Sequence, residues 1–109
     1  MAGVGASRLV GSKLTNYVIS KKIARSIATG HALTKHLSEF SDLGITTERQ
    51  LINYVSKVIR NPNLTKELER GRIAYYDTTD QTLVIFDPNS IDLGTSFRVD
   101  IDYYNNKLK

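Results

Sequence analysis

The sequence predicts an α+β domain in which N-terminal helices pack on a C-terminal, curved antiparallel sheet of three to five strands. Two observations lead to this fold class. Apolar residues recur with helical spacing up to about residue 68, and they alternate with a period of two in most of the chain that follows. The stretches with period two are separated by short turn sequences, which favours antiparallel hairpins.

Length and composition exclude several classes of protein. A chain of 109 residues, 40% apolar and 24% charged, has the size and composition of one globular domain, and we expect residues 1–11 to be flexible. Because cysteine is absent, a disulfide framework, a thiolate zinc site and a cysteine nucleophile are excluded. No apolar run approaches the ~18 residues of a membrane span. We therefore expect a soluble domain.

Helical spacing is visible in three segments. The first is expected between residues 12 and 29, where Gly30 interrupts the pattern. The second places Leu33, Leu37 and Phe40 at positions i, i+4 and i+7, which forms one buried stripe.

The third helix has the clearest boundaries. Residues 41–44 end the second helix with a glycine. Thr47 and Gln50 then have the Thr-x-x-Gln spacing of a capping box, which opens the third helix. The sequence Asn61-Pro62 stops it.

The predicted sheet occupies the second half of the chain. Residues 64–68 form a short segment that we interpret as helical. Three later stretches are rich in β-branched and aromatic residues and are predicted strands, namely residues 72–76, 82–86 and 96–104. Turn-forming residues separate them at 77–80 and 87–94.

The basic residues are concentrated near the N-terminus. The net charge is +4, yet residues 1–36 contain six basic residues and no acidic one, whereas residues 37–109 carry nine basic and eleven acidic residues. The six are Arg8, Lys13, Lys21, Lys22, Arg25 and Lys35. This asymmetry indicates either a surface for a polyanion such as nucleic acid or a solvated helix face.

The two histidines, His31 and His36, are candidates for chemistry. Their five-residue spacing is not that of a helical metal pair and no third ligand is near, so we expect no metal. His36 follows Lys35, and such a pair supplies a general base beside a cation for phosphate. The alternative is a half-buried histidine bonded to a backbone carbonyl.

A second cluster lies at the entrance to the last predicted strand. Thr95 and Ser96 alternate across the sheet, so one hydroxyl faces the core and the other faces the open side. Gly94 permits a close backbone approach there. The alternative is a hairpin turn made of ordinary β-forming residues.

Six blocks of the chain, in order, carry a resemblance to a known family. They are residues 30–40, 43–47, 58–62, 70–76, 83–88 and 94–98. Together they resemble the C-terminal toxin domains of contact-dependent growth inhibition (CdiA-type) and related polymorphic bacterial toxins. These are ribonucleases of the barnase, EndoU, colicin and RelE superfamily. The chain departs from the colicin D-like pattern at Leu33, where those relatives carry a lysine.

The resemblance implies metal-independent cleavage of RNA, usually a tRNA, in which the 2′-hydroxyl attacks the adjacent phosphorus and leaves a 2′,3′-cyclic phosphate. It implies that His36 is the acid or base and that Lys35 neutralises the phosphate. Thr95, or alternatively Ser96, would hydrogen-bond the phosphate. His31 would be the second acid or base, or only a residue at the start of the helix.

Further cations have secondary roles under this resemblance. Arg72 and Arg98 are candidates for phosphate contact. Lys21, Lys22 and Arg25 are candidates for binding the RNA backbone. No cofactor is implied.

The resemblance also implies partners and a location. The substrate would be a tRNA, an acidic immunity protein would cover the active site, and some relatives require elongation factor Tu. The domain would be secreted or displayed on the cell surface within a larger effector and would act in the cytoplasm of the target bacterium. Two other classes stay open, which are a non-catalytic basic module that binds RNA or protein and a metal-dependent nuclease or deaminase.

Overall fold

The computed structural model of the protein describes residues 18–109, and within this range helices precede a sheet. The helical elements are α1, which includes residues 18–29, a π-helical turn at Ala32–His36, a 3₁₀ helix at Leu37–Leu43, α2 at Glu48–Arg60 and, after the sheet, α3 at Ile101–Asn106. A 3₁₀ turn also spans Glu69–Gly71. The expected start of the first helix, the expected flexibility of residues 1–11, and Arg8 and Lys13 lie outside the described residues.

The sheet has four antiparallel strands arranged in their order along the chain. They are β1 at Leu64–Glu67, β2 at Ile73–Asp77, β3 at Thr82–Phe86 and β4 at Gly94–Arg98. Strand β3 has the predicted bounds. The helix-then-sheet order and the antiparallel pairing confirm the predicted α+β class.

Strand β3 lies in the interior of the sheet and is buried on both faces. All four residues from Thr82 to Ile85 are buried, although successive side chains point in opposite directions. The register places Thr95 opposite Ile85 and Ser96 opposite Val84. Each face of the sheet therefore carries its own hydrophobic core.

The first core lies between the helices and one face of the sheet. The first core contains Val84 from the sheet and residues from α1, the π-helical turn, the first 3₁₀ helix and α2. The fully buried apolar members are Ala24, Ile27, Ala28, Ala32, Phe40, Leu51, Val55 and Val84. The predicted stripe of the second helix is confirmed, because Phe40 is buried while Leu33 and Leu37 pack against this core.

The second core covers the opposite face of the sheet, and the sequence interpretation did not anticipate it. The Tyr104 ring of α3 lies 5.2 Å from the ring of Tyr76, and both residues pack with Leu83 and Ile85. The predicted strand at 96–104 is therefore wrong beyond Arg98. The side chain of Asp100 accepts a hydrogen bond from the Tyr103 backbone N–H at 3.0 Å and starts a helix instead.

Residues 64–68 also differ from the helix that we interpreted from the sequence. Strand β1 occupies Leu64–Glu67, with Leu64 opposite Tyr76 and Glu67 opposite Ile73. The backbone N–H of Asn63 donates to the carbonyl of Tyr76 at 2.9 Å, which starts the pairing. Pairing with β2, the next strand along the chain, therefore overrides the local four-residue spacing of leucines.

Helix α2 is held at its start and in its middle. Thr47 accepts from the Gln50 backbone N–H, and the Gln50 side chain accepts from the Thr47 backbone N–H, which confirms the capping box. In the middle, the Tyr54 hydroxyl lies 2.9 Å from Thr82 Oγ1 and 3.2 Å from carboxylate oxygens of Asp77 and Asp80. Burial raises the pKa of Tyr54, which keeps this donor protonated.

No helix of residues 18–109 combines the length and the apolar character needed to cross a membrane.

The capping box gives a stability prediction. We expect Thr47→Ala to lower the free energy of unfolding by about 1 kcal/mol, because it leaves a helix N–H without its side-chain acceptor. Urea denaturation measures the change. Thr79→Ala is the control, since Thr79 is exposed and its side chain makes no hydrogen bond within the described residues. Equal stability of the two variants would contradict the capping role.

Candidate active site

A cleft of about 330 Å³ lies where the helical segment meets the sheet. It brings together residues from the π-helical region, the approach to β2, the loop between β3 and β4, and β4 itself. The lining residues are His31, Arg72, Ile85, Asp87, Ser90, Asp92, Gly94 and Thr95. Three of the residues proposed from the sequence, from three distant parts of the chain, therefore share one cleft.

Thr95 lies at the base of this cleft with an unused hydroxyl. Its Oγ1 is buried and has no hydrogen-bond partner among residues 18–109. A buried polar group without a partner costs about 1–3 kcal/mol of stability. A ligand oxygen that entered the cleft could supply the missing partner.

Ser96 points to the opposite face, as the alternation of a strand requires. It is completely buried, and its Oγ donates to the carbonyl of Leu83 at 3.1 Å. The alternative assignment of Ser96 as the phosphate-binding hydroxyl is therefore corrected. This hydroxyl belongs to the first core and does not reach the cleft.

Gly94 forms part of the cleft wall by backbone alone. Its φ of +133° lies in a region that side-chain-bearing residues rarely adopt, and a Cβ would come within 1.8 Å of the Ile85 carbonyl oxygen. The close approach of β3 and β4 at the cleft therefore requires glycine.

His31 enters the cleft from the end of α1. Its backbone N–H donates to Oδ2 of Asp92 at 3.3 Å, which ties the helix end to the loop before β4. The preceding residue, Gly30, allows this contact, because a Cβ there would lie 2.4 Å from Asp92 Cγ.

The π-helical turn brings the two histidines together. In an α-helix, residues five apart are separated by about 140° around the axis. A π turn closes i→i+5 hydrogen bonds, which places residues five apart on the same side. The rings of His31 and His36 accordingly lie 5.0 Å apart in an edge-to-face arrangement. The pair is a product of this helix geometry.

His36 is held on three sides. Its Nδ1 contacts Oε2 of Glu39, and its ring lies 5.4 Å from the Phe97 ring of β4. With the His31 ring on a further side, the imidazole is partly buried, with 23% of its side chain exposed. The alternative interpretation of His36 gave it a backbone carbonyl as partner, whereas the partner in the structure is the Glu39 carboxylate.

Lys35 does not join the histidines. It is exposed and lines a different cleft of about 380 Å³, whose apolar part is formed by Leu33, Leu37 and Ile45. The structure therefore separates the Lys35-His36 pair, and Lys35 lines no part of the His31 cleft.

Arg72 and Arg98, the two arginines proposed for phosphate contact, have different surroundings. Arg72 lines the cleft, and its Nε donates to the Glu69 carbonyl at 3.0 Å, which orients the guanidinium. Arg98 uses Nη1 to reach the Glu39 carbonyl at 3.0 Å and Asp42 Oδ1 at 2.7 Å. Arg98 therefore connects β4 to the 3₁₀ helix, and it is not among the residues that line the cleft.

The basic residues of α1 divide in the same way. Lys21 donates to Oδ1 of Asn53 and connects α1 to α2. Lys22 and Arg25 are exposed and lie three residues apart, on the helix face that ends at Thr29 just before His31. Two of the three proposed cations therefore form an exposed row that leads towards the cleft.

Glu39 and Asp92, which contact the two histidine residues, were missed in the sequence interpretation. Glu39 follows His36 by three residues, a spacing that brings side chains together in a helix and was therefore visible in advance. Asp92 lies 61 residues from His31 in sequence, so only the fold reveals that contact.

Among residues 18–109, no group of three or more histidine, aspartate or glutamate side chains is placed to hold a metal ion.

Comparisons with known proteins give no relative. No protein-family model matches the chain, and neither the curated proteins nor the solved structures compared with it give a match.

The contact between Gly94 and β3 gives a second prediction. We expect Gly94→Ala to lower the free energy of unfolding by at least ~2 kcal/mol, because its methyl group would overlap the Ile85 carbonyl. Gly44→Ala is the matched control. Gly44 also has a positive φ, but no atom lies within 4 Å of the added Cβ, so we expect a loss of about 1 kcal/mol. Thermal unfolding compares them, and equal losses would contradict the steric explanation.

The pair of Arg98 and Asp42 gives a prediction about pH. The hydrogen bond from Arg98 lowers the pKa of the Asp42 carboxyl below its ordinary value of 3.8. A group with a lowered pKa stabilises the folded state above its unfolded pKa, and the effect is lost as the pH falls through the folded pKa. We therefore expect the wild type to be more stable than Asp42→Asn at pH 7, and the difference to shrink as the pH falls below 3.8 and to vanish below the lowered pKa of the folded state.

Urea denaturation of both proteins over this pH range measures the difference. The control repeats the comparison in an Arg98→Gln background, where the pH-dependent effect of Asp42→Asn should be much smaller because the largest cause of the lowered pKa is removed. A difference between wild type and Asp42→Asn that is independent of pH would show that the charge of Asp42 is not involved.

Proposed function

We propose that this domain is a toxin ribonuclease that cleaves RNA, with tRNA as the expected substrate, by attack of a 2′-hydroxyl on the adjacent phosphorus. The observation that carries the proposal is the convergence of His31, Arg72 and the unpartnered Thr95 hydroxyl at one cleft, with the ring of His36 5.0 Å from that of His31. The resemblance of residues 30–98 to CdiA-type toxin domains supports the same reaction.

The reaction requires two proton transfers, and the histidine pair suits both. The 2′-oxygen forms a bond to phosphorus and loses its proton to a base, while the bond from phosphorus to the 5′-oxygen breaks and that oxygen gains a proton. We assign one transfer to His36 and the other to His31. The products are a 2′,3′-cyclic phosphate and a 5′-hydroxyl.

The non-bridging phosphate oxygens gain charge during the attack. Arg72 can supply a positive charge from the cleft wall. The Thr95 hydroxyl can donate a hydrogen bond, since no described residue uses it. Neither contribution needs a cofactor.

Substrate binding would extend beyond the cleft. The exposed row formed by Lys22 and Arg25 approaches His31 along α1, which suits contact with successive backbone phosphates of RNA. Such binding weakens steeply as the salt concentration rises.

Delivery and control follow from the resemblance. The domain would reach a neighbouring bacterium within a secreted or surface-displayed effector and act in the cytoplasm of that cell. In the producing cell, an acidic immunity protein would cover the cleft and the basic row. Charge complementarity would speed its association.

Cleavage of purified tRNA tests the proposal. We expect a discrete fragment ending in a cyclic phosphate, formed with EDTA present, and no fragment from His36→Ala. Intact tRNA at micromolar wild-type protein, with or without divalent metal or elongation factor Tu, would overturn it. Salt-sensitive binding without cleavage would instead favour a non-catalytic RNA-binding module. Loss of cleavage when divalent metal is chelated would favour a metal-dependent nuclease.

Thr95→Val separates a functional hydroxyl from a structural one. We expect kcat/KM for tRNA cleavage to fall by about 100-fold, as for other donors to a developing oxyanion. Stability should be unchanged or higher by about 1 kcal/mol, because an unpaired buried hydroxyl is removed. Ser96→Ala is the control, since it should lower stability through its lost hydrogen bond to Leu83. Full activity of Thr95→Val would remove this residue from the site.

A further inference from the structure

Glu39 lies between His36 and β4, one of the two edge strands of the sheet. Its Oε2 contacts Nδ1 of His36, and its Oε1 accepts from the backbone N–H of Arg98 at 3.0 Å. Its own carbonyl accepts from Arg98 Nη1 at 3.0 Å. One residue therefore contacts both the imidazole and β4.

The strand holds the carboxylate independently of the histidine. Strand β4 is an edge strand, and Glu39 satisfies one of its outward-facing N–H groups. The 3₁₀ helix also contributes, because residues three apart are eclipsed in that geometry and Glu39 follows His36 by three. The carboxylate is therefore held by β4 as well as by its contact with the imidazole.

An ionised carboxylate accepts hydrogen bonds and donates none. The nitrogen of His36 that faces it must carry a proton, so Nδ1 is the protonated nitrogen. In the neutral ring, the lone pair is then on Nε2. Free neutral histidine prefers the other tautomer, with the proton on Nε2.

The remaining neighbours of the ring leave this assignment intact. Phe97 of β4 offers an aromatic face and no proton acceptor of its own. His31 meets the His36 ring in an edge-to-face contact. Arg98 Nη1 donates to Asp42 and to the Glu39 carbonyl, and neither of these acceptors belongs to the imidazole.

We propose that Glu39 is a positioning residue that holds His36 as the Nδ1–H tautomer and so presents Nε2 as the nitrogen that exchanges a proton with substrate. The inference deepens the proposed ribonuclease function and rests on it for the role of Nε2. The tautomer itself is a property of the folded protein and can be measured without any substrate.

Ring-nitrogen ¹⁵N chemical shifts test the tautomer in wild type, Glu39→Gln and Glu39→Ala. We expect Nδ1–H in the wild type and in Glu39→Gln, whose amide oxygen can still accept the proton. Glu39→Ala should revert to the Nε2–H form. The control is Glu67→Ala, an exposed glutamate of β1, which should leave the His36 signals unchanged.

Kinetics on tRNA test the consequence. We expect Glu39→Ala to lower kcat by about 10-fold to 100-fold with KM nearly unchanged, and Glu39→Gln to recover part of the loss. Circular dichroism and urea denaturation establish that both variants are folded.

The possible results separate the two proposals. An Nε2–H tautomer in the wild type, or unchanged tautomer and kcat in Glu39→Ala, would overturn the positioning role. The tautomer could change in Glu39→Ala while the wild type cleaves no RNA. That result would overturn the ribonuclease function and support the orientation of His36 by Glu39. A tautomer change with a reduced kcat supports both.

Discussion

The burial of β3 on both faces is the constraint that organises the described part of the molecule. Because Leu83 and Val84 point in opposite directions and are both fully buried, the sheet must be covered twice. The N-terminal helices cover one face, and the short α3 with Tyr104 covers the other. A single face packed on helices would have exposed half of this strand to water.

The same arrangement determines where a site can form. Strand β4 lies at the sheet edge, and the π-helical turn and 3₁₀ helix pack alongside it. Glu39 satisfies a backbone donor of this edge, and Arg98 returns a hydrogen bond to the helix. Edge strands carry unsatisfied backbone groups, so they can anchor side chains from elsewhere in the chain. Here that anchoring brings a helical imidazole to the residues of β4.

The sequence predicted features that depend on residues within one element and missed those that depend on pairing or packing between elements. The capping box of Thr47 and the bounds of β3 are local and were correct, whereas β1 required pairing with β2 and α3 required burial of Tyr104. For the site, strand alternation correctly indicated that Thr95 and Ser96 diverge. The contact of the histidine rings was missed, because α-helical spacing was assumed where the chain forms a π turn.

The π turn has a consequence for how folding and function are related. The two imidazoles are neighbours only while Ala32–His36 keeps its i→i+5 hydrogen bonds. That turn is anchored in the first core, because Ala32 is fully buried there and Leu33 packs against it. Opening the turn would therefore separate the rings and uncover part of this core. A change in the packing of the first core can accordingly reach the histidine pair without any substitution of either histidine.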